Sequence, residues 1–352
     1  MVSVKSVAGM IAPHGSLILA QVITASYIVL SKVILVQGIS ATVFLVYQFI
    51  LATLFMALLA YIFERKNLPP LTMNILWGIF LLAFIGVTFA QIMLSTALYF
   101  TTSTIESSVL NMIPAITYIL SLITRQEKLQ LQTWWGNGKL FGTILSVSGA
   151  LILVFWHDST VNVTITDSTN SAIGLVMVIV GVLSFSIWIL MLEPMTKKYP
   201  AELSMTSIMF FFATLQTGVV AVIMNHKVSQ WQLKWDLELL NILVGGALNS
   251  GLANFFVAWC AGLKGPVFVA SFSPLGLLFT TIIDILFLGH RMNAGSVIGS
   301  IVIVVGLYIY LWSKSKEEAQ EKFGCDEEAY NEITSSLVHN QHQDNLSITY
   351  DK

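Results

Sequence analysis

The feature that most limits what this 352-residue chain can fold into is a succession of apolar runs, each about the ~20 residues needed to cross a bilayer, with short polar breaks between them. Ten segments qualify, over residues 17–36, 41–62, 76–100, 104–124, 140–156, 174–192, 205–224, 240–263, 267–288 and 296–313. In lipid the backbone has no water to bond, so each run predicts a helix that satisfies its own N–H and C=O groups. The expected fold is an all-α integral membrane protein of ten transmembrane helices. Composition agrees: 56% of residues are hydrophobic and 10% charged, whereas a soluble domain is roughly a quarter charged. The first run exceeds the apolar region of a signal peptide and reads as a retained span.

Charge sets the expected orientation, because Lys and Arg near span ends stay cytoplasmic. With the N-terminus inside, Lys5, Arg65, Lys66, Arg125, Lys128, Lys139, Lys197, Lys198, Lys264, Lys314 and Lys316 fall on the cytoplasmic side. Only Lys32, Lys227, Lys234 and Arg291 fall opposite. Both termini are then cytoplasmic, and residues 157–173 form an extracytosolic connection that holds the sequon at Asn162. From Lys314 onward the chain is polar and acidic and reads as a disordered cytoplasmic tail, residues 314–352.

The chain repeats itself. Gly86 and Pro114 recur as Gly246 and Pro274 at an offset of 160, with Tyr99 and Trp259 between them. Ala52, Thr53 and Leu54 recur as Ala213, Thr214 and Leu215, and Gly138, Gly142 and Gly149 as Gly295, Gly299 and Gly306. Residues 1–156 and 174–313 are therefore read as two copies of a five-helix unit. An odd number of spans per copy inserts the second copy upside down, the inverted-repeat plan of many secondary transporters.

Enzyme chemistry finds no foothold. Gly136, Asn137, Gly138 and Lys139 lack the spacing and the Ser or Thr of a phosphate loop, and no HExxH, nucleophile elbow or His/Cys ligand cluster occurs. Cys260 and Cys325 form no CxxC pair, so neither a metal nor a cofactor is expected. No basic field for nucleic acid exists. The expected partners are the lipid bilayer and a small organic solute.

Polar residues within spans are costly and usually face a bundle interior or a wet cavity. Gln91, Ser95 and Tyr99 share a stripe with Thr88, and Asn111 and Pro114 share a helical face with Ser107 and Tyr118. The second copy supplies Asn254, Trp259, Ser271 and Pro274. Paired prolines at matching depth suggest paired kinks lining one cavity, and each polar group has an alternative reading as interhelical glue. Asp284, with His290 beyond it, is the titratable candidate for proton coupling; a salt bridge or interfacial hydrogen bond is the other reading. Glu106 reads as the end of a capping box begun by Ser103. Lys32 either attracts anions or snorkels to the headgroups.

These residues carry a family resemblance. The run Trp259, Cys260, then Gly265 to Val269, Ser273 to Gly276, Phe287 to Gly289 and Gly295 to Gly299 resembles the plant Walls Are Thin-related proteins. These are also called UMAMIT or nodulin-like EamA transporters, of the drug/metabolite transporter superfamily. Ser31 with Lys32, Phe63 to Lys66, Asn111 with Pro114 and Ala115, and Lys198 to Leu203 match as well. The resemblance implies two EamA repeats around a central cavity lined mainly by the first, third, fourth, sixth, eighth and ninth helices. It implies a secondary carrier or facilitator of amino acids or related acids such as auxin, in the plasma membrane or the vacuolar membrane. The chain departs from the family pattern at Gln48 and Phe49 after Tyr47, at Ala90 and Ile92 around Gln91, at Val257 and at His290. A nucleotide-sugar-type carrier would need several buried cations, for which only Lys32 is a candidate. A non-transporting receptor or scaffold that signals through the tail is the reading from another class. Oligomeric state is not legible.

Overall fold

The computed structural model describes residues 4–35, 41–66, 68–97, 100, 106, 109–127, 133–157, 168–224, 231, 237–288, 295, 297–317 and 319–320. Among them the regular structure is helical throughout. The first five helices are α1 (Val4–Leu35), α2 (Ala41–Phe63), α3 (Met73–Ala97), α4 (Ile113–Ile123) and α5 (Trp134–His157). Then come α6 (Ser168–Lys198) and α7 (Glu202–Met224). The helix α8 is made of Leu237–Leu243, Val244–Ala253 and Asn254–Lys264, α9 of Pro266–Ser271 and Ser273–Leu288, and α10 is Val297–Glu317. Eight segments, lying on all of these but α4 and α5, are long and apolar enough to cross a membrane; α4 is a shorter apolar helix over its described residues. This is an all-helical membrane protein.

Helices overrun the apolar segments that nucleate them. α1 starts at Val4 and α6 at Ser168, ahead of the runs that begin at 17 and 174, and α10 continues through Lys314 to Glu317. Polar helical turns can reach past the hydrocarbon, where hydropathy stops reporting them. Asn162 and the chain beyond residue 320 lie outside the described residues, as do Ser103 and the rest of the expected capping box apart from Glu106.

The packing has a twofold pattern. α2 lies along α7; α8 packs on α1 and α2, as α3 packs on α6 and α7; and α1 meets α9 as α6 meets α4. The first segment of α9 also packs against α4. Outward faces carry large apolar residues such as Leu54, Leu58, Tyr61, Leu215, Val219 and Val222, the surface a lipid solvent requires.

Two seams hold the copies together. Along the first, α5 and α10 approach through glycine: a Cβ on Gly142 would lie 2.6 Å from Tyr310 N and 2.7 Å from Gly306 O. Those are backbone atoms, which cannot swing away, and the glycines recognised as a repeat pattern exist for this contact. We expect Gly142→Ala to cost about 1–3 kcal/mol through overpacking, read as a lower thermal midpoint of the detergent-purified protein.

The second seam is a buried ion cluster at the end of the bundle where α4 and α10 finish and α5 begins. Lys139 Nζ donates to Glu317 Oε1 at 2.7 Å and to Glu127 Oε2 at 3.3 Å, and Lys314 Nζ donates to Glu127 Oε1 at 3.0 Å. Lys139 is 1% exposed and both carboxylates are below a tenth exposed. Charge counting alone put Lys139 among the cytoplasmic loop residues and Glu317 in the solvated tail; the helices instead carry both into one another. Burial acts to raise the Glu127 pKa, but Lys314 and Lys139 more than offset it and hold the carboxyl below its ordinary 4.5. A depressed carboxylate pKa stabilises the fold above the unfolded value and loses that contribution as pH falls through the native one. Thermal stability should thus decline on acidification below about 4.5. Lys139→Met leaves two buried carboxylates to share Lys314 alone and should cost about 3–5 kcal/mol; the double variant Lys139→Met/Glu317→Gln should recover part of the lost melting temperature.

Candidate functional site

The middle of the bundle is built from departures from α-helical winding, placed alike in the two copies. In α3 residues Ala83–Phe89, and in α8 residues Val244–Ala253, adopt the wider π-helical turn, a form found mostly at functional sites. Each is pressed by an aromatic from the helix that packs on it. A Cβ on Gly86 would overlap the Trp188 indole of α6, and one on Gly245 would overlap Tyr27 of α1 and the Gln48 amide. Tyr27 and Trp188 stand 161 residues apart and do the same work.

Wide turns leave backbone groups that neighbours must satisfy. In α3, Ser184 Oγ donates to Ile85 O at 2.7 Å, Gln216 Nε2 to Phe80 O at 3.3 Å, and Thr88 Oγ1 to Gln216 Oε1 at 2.8 Å. In α8, Asn254 Nδ2 donates back to Asn249 O at 3.1 Å, and Thr24 Oγ1 of α1 donates to Asn249 Oδ1 at 3.0 Å. The α1–α8 contact continues as a polar ladder. Asn241 Nδ2 of α8 donates to Ser31 Oγ of α1 at 3.1 Å, and beside it Tyr27 Oη of α1 donates to Gln48 Oε1 of α2 at 3.1 Å. Gln48 Nε2 and Trp188 Nε1 find no partner among the described residues.

The prolines act differently from mid-helix kinks. The chain turns at Asn111 and Met112 before α4, and at Phe272 within α9, a matching offset of 160. Met112 N donates to Val109 O at 3.0 Å and Phe272 N to Val269 O at 3.2 Å. Each proline therefore sits in the first turn of a new helical segment, where a missing N–H costs nothing and no preceding carbonyl clashes. Met112 and Phe272 keep right-handed helical dihedrals, so each break is a short tightened turn within the span. At the other end of the first α9 segment, α8 passes into α9 through Gly265, whose φ of 86° suits glycine, followed by Pro266 at N1.

The candidate residues distribute as follows. Asn111, Pro114, Ser271 and Pro274 are buried at the two breaks, with Ser271 Oγ donating to Phe268 O at 2.7 Å. Asn254 and Trp259 are half-buried on α8, and Gln91 is exposed on α3, where Ser95 Oγ donates to its carbonyl at 2.6 Å. Tyr99, His290 and the Asp284 side chain lie outside the described residues. Sequence reading missed Gln21, Thr24 and Asn249. Gln21 Oε1 lies against Gly276, where an added Cβ would be 2.6 Å away, so it reaches α9 two residues past Pro274. Gln21, Thr24, Asn249 and Asn254 thus form an uncharged, half-buried polar group where α1, α8 and α9 meet. The available signal was the three-residue spacing of Gln21 and Thr24, which puts them on one face of α1. Near the start of α1, His14 packs its ring edge-on to Phe268, centroids 5.1 Å apart.

Paired π turns, paired helix breaks and a polar group at their meeting define a membrane transporter built from an inverted repeat. The EamA-like transporter family model matches residues 14–155 and again residues 172–312, and the chain belongs to that family. It is 33% identical over 312 residues to the Arabidopsis thaliana WAT1-related protein At4g01440, covering 84% of this chain and 86% of that protein. It is 34% identical over 342 residues to the A. thaliana WAT1-related protein At3g18200, covering 93% and 88%. A protein of known crystal structure shares the fold with a TM-score of 0.69 at 12% identity, over 87% of this chain and 99% of the other. The molecule is a multi-pass membrane transporter of small solutes.

The polar ladder should be graded by burial. Asn241→Leu leaves the buried Ser31 hydroxyl without its partner and should cost about 1–3 kcal/mol. Thr24→Val, at a half-buried rung, should cost about 0.6 kcal/mol, the usual worth of one interhelical hydrogen bond. Thermal midpoints of the two variants check the order.

Proposed function

We propose that this transporter moves amino acids or related acids such as auxin, as a secondary carrier or facilitator. The observation that carries the reading is the uncharged polar group of Gln21, Thr24, Asn249 and Asn254 beside the α9 break. Amide oxygens accept from an ammonium and amide N–H groups donate to a carboxylate, so such a lining suits a solute with both ends. The described side chains of this group carry no charge, which disfavours a phosphorylated cargo. The proposed solute path takes in Gln91, Ser95, Tyr99, Asn111, Pro114, Asn254, Trp259, Ser271 and Pro274, with Asp284 and His290 as its candidates for proton linkage. Two five-helix copies, residues 1–156 and 174–313, make ten spans with both termini cytoplasmic. The family resemblance supports the plasma membrane, or alternatively the vacuolar membrane, as the site of action.

Uptake and efflux of labelled amino acids and auxin in proteoliposomes, at two pH values, tests the reading. Flux above empty vesicles is expected for at least one of these solutes, and its absence across the panel would sink the proposal. Asn111→Leu and Gln91→Leu should each lower the initial rate by about tenfold or more, roughly 1.4 kcal/mol in the barrier, with incorporation unchanged. Wild-type rates in both would remove these residues from the path.

A further inference from the structure

Gln91 is exposed in a helix whose other exposed residues are overwhelmingly apolar, and the winding of α3 explains where it faces. Before the π turn the exposed residues are Met73, Asn74, Trp77, Leu81 and Phe84, spaced three and four apart along one stripe. That stripe is the lipid face. In an unbroken α-helix Gln91, seven residues after Phe84, would return to it after roughly two turns. Thr88 would lie close to the same stripe.

The structure shows otherwise. Thr88 is 3% exposed and faces Gln216 of α7. One extra residue in the wide turn rotates everything after it by roughly 100° about the helix axis. The rotation carries Thr88 into the α7 contact and takes Gln91 off the lipid stripe. Its exposure is then on another side of α3.

A wide turn inside an apolar span needs a partner to hold it. Ala90 N donates to Ile85 O, the five-residue reach of the π turn. Gln216 grips the turn at both ends. Its Nε2 donates to Phe80 O at the changeover from α to π winding, and its Oε1 accepts from Thr88 near the close of the π stretch. We infer that Gln216 is a positioning residue: by clamping Phe80 and Thr88 it holds the wide turn of α3 and so presents Gln91 to the solute path. Gln216 itself lies on α7, away from the polar group at α1, α8 and α9. The inference rests on the reading of Gln91 as a lining residue, but its test does not.

The full chain is used, with Cys260→Ala and Cys325→Ser as background, Gln91→Cys as reporter and a membrane-impermeant maleimide as probe. Gln91→Cys should react. Adding Gln216→Leu should slow labelling by about tenfold as the cysteine turns toward lipid, because thiol reactivity follows exposure. Thr88→Val should slow it likewise and Thr88→Ser should not, a pattern that general loosening of the fold would not produce. Lys66→Cys, outside the helix, should keep its rate in every variant. Equal labelling with and without Gln216→Leu and Thr88→Val would overturn the inference, as would a Gln91→Cys protein that never labels. Flux of Gln91→Leu decides the lining role separately: wild-type flux with slowed labelling removes Gln91 from the path and leaves Gln216 as the clamp.

Discussion

The constraint on which the structure depends is the absence of water to satisfy backbone groups within the membrane. A regular helix meets it alone. Among the described residues the irregular stretches are accommodated in identifiable ways: Ser184 and Gln216 bond the wide turn of α3, Asn254 that of α8, and proline, which lacks an N–H, stands in the first turn of α4 and of the second part of α9. The irregular stretches recur at matching places in the two copies. Irregular winding at membrane depth is tolerated where protein covers it or where it lines a cavity, which joins the departures from α-helix to transport.

The two copies share a backbone plan and differ in what lines it. Thr24 in α1 and Ser184 in α6 are 160 residues apart, yet Thr24 bonds the Asn249 side chain and Ser184 bonds a backbone carbonyl. At the positions matching Asn249 and Asn254 the first copy has Phe89 and Leu94, and Gly181 packs directly on Leu94. The α3–α6 contact is accordingly apolar beyond the wide turn, while the α1–α8 contact is polar along most of its length. The repeat supplies a shared backbone scaffold; its local failure gives the second copy polar side chains where the first has apolar ones.

Much of the fold was legible because hydropathy reports each span directly and because Gly86, Pro114, Gly246 and Pro274 repeat at a fixed offset. The meaning of those residues was less legible. That Gly86 lies beneath Trp188, or that Pro114 opens a helix instead of kinking one, depends on contacts formed between residues far apart in the chain. Gln21 and Asn249 illustrate the same limit in the site: nothing local separates a polar residue facing lipid headgroups from one facing a cavity. Gln91 is the reverse case. The polar stripe was visible, but a regular helical period would have aimed it at lipid, and the wide turn moves it off that stripe.

Charge was the least legible feature. Lys139 counts as a loop cation and Glu317 as part of an acidic tail until the ends of α5 and α10 are seen to overlap. The same end of the bundle carries a second link between the copies, where Glu64 at the end of α2 accepts from Leu203 N and Ser204 N and so caps α7. A carboxylate suits that helix start because the dipole and the free N–H groups both favour negative charge. Both links therefore tie the first copy to the second at one membrane face, through bonds that are directional and costly to break. The glycine seam between α5 and α10 allows close contact without such direction. Charge thus fastens the scaffold at one face, whereas the wide turns and helix breaks toward its middle are held by neutral hydrogen bonds.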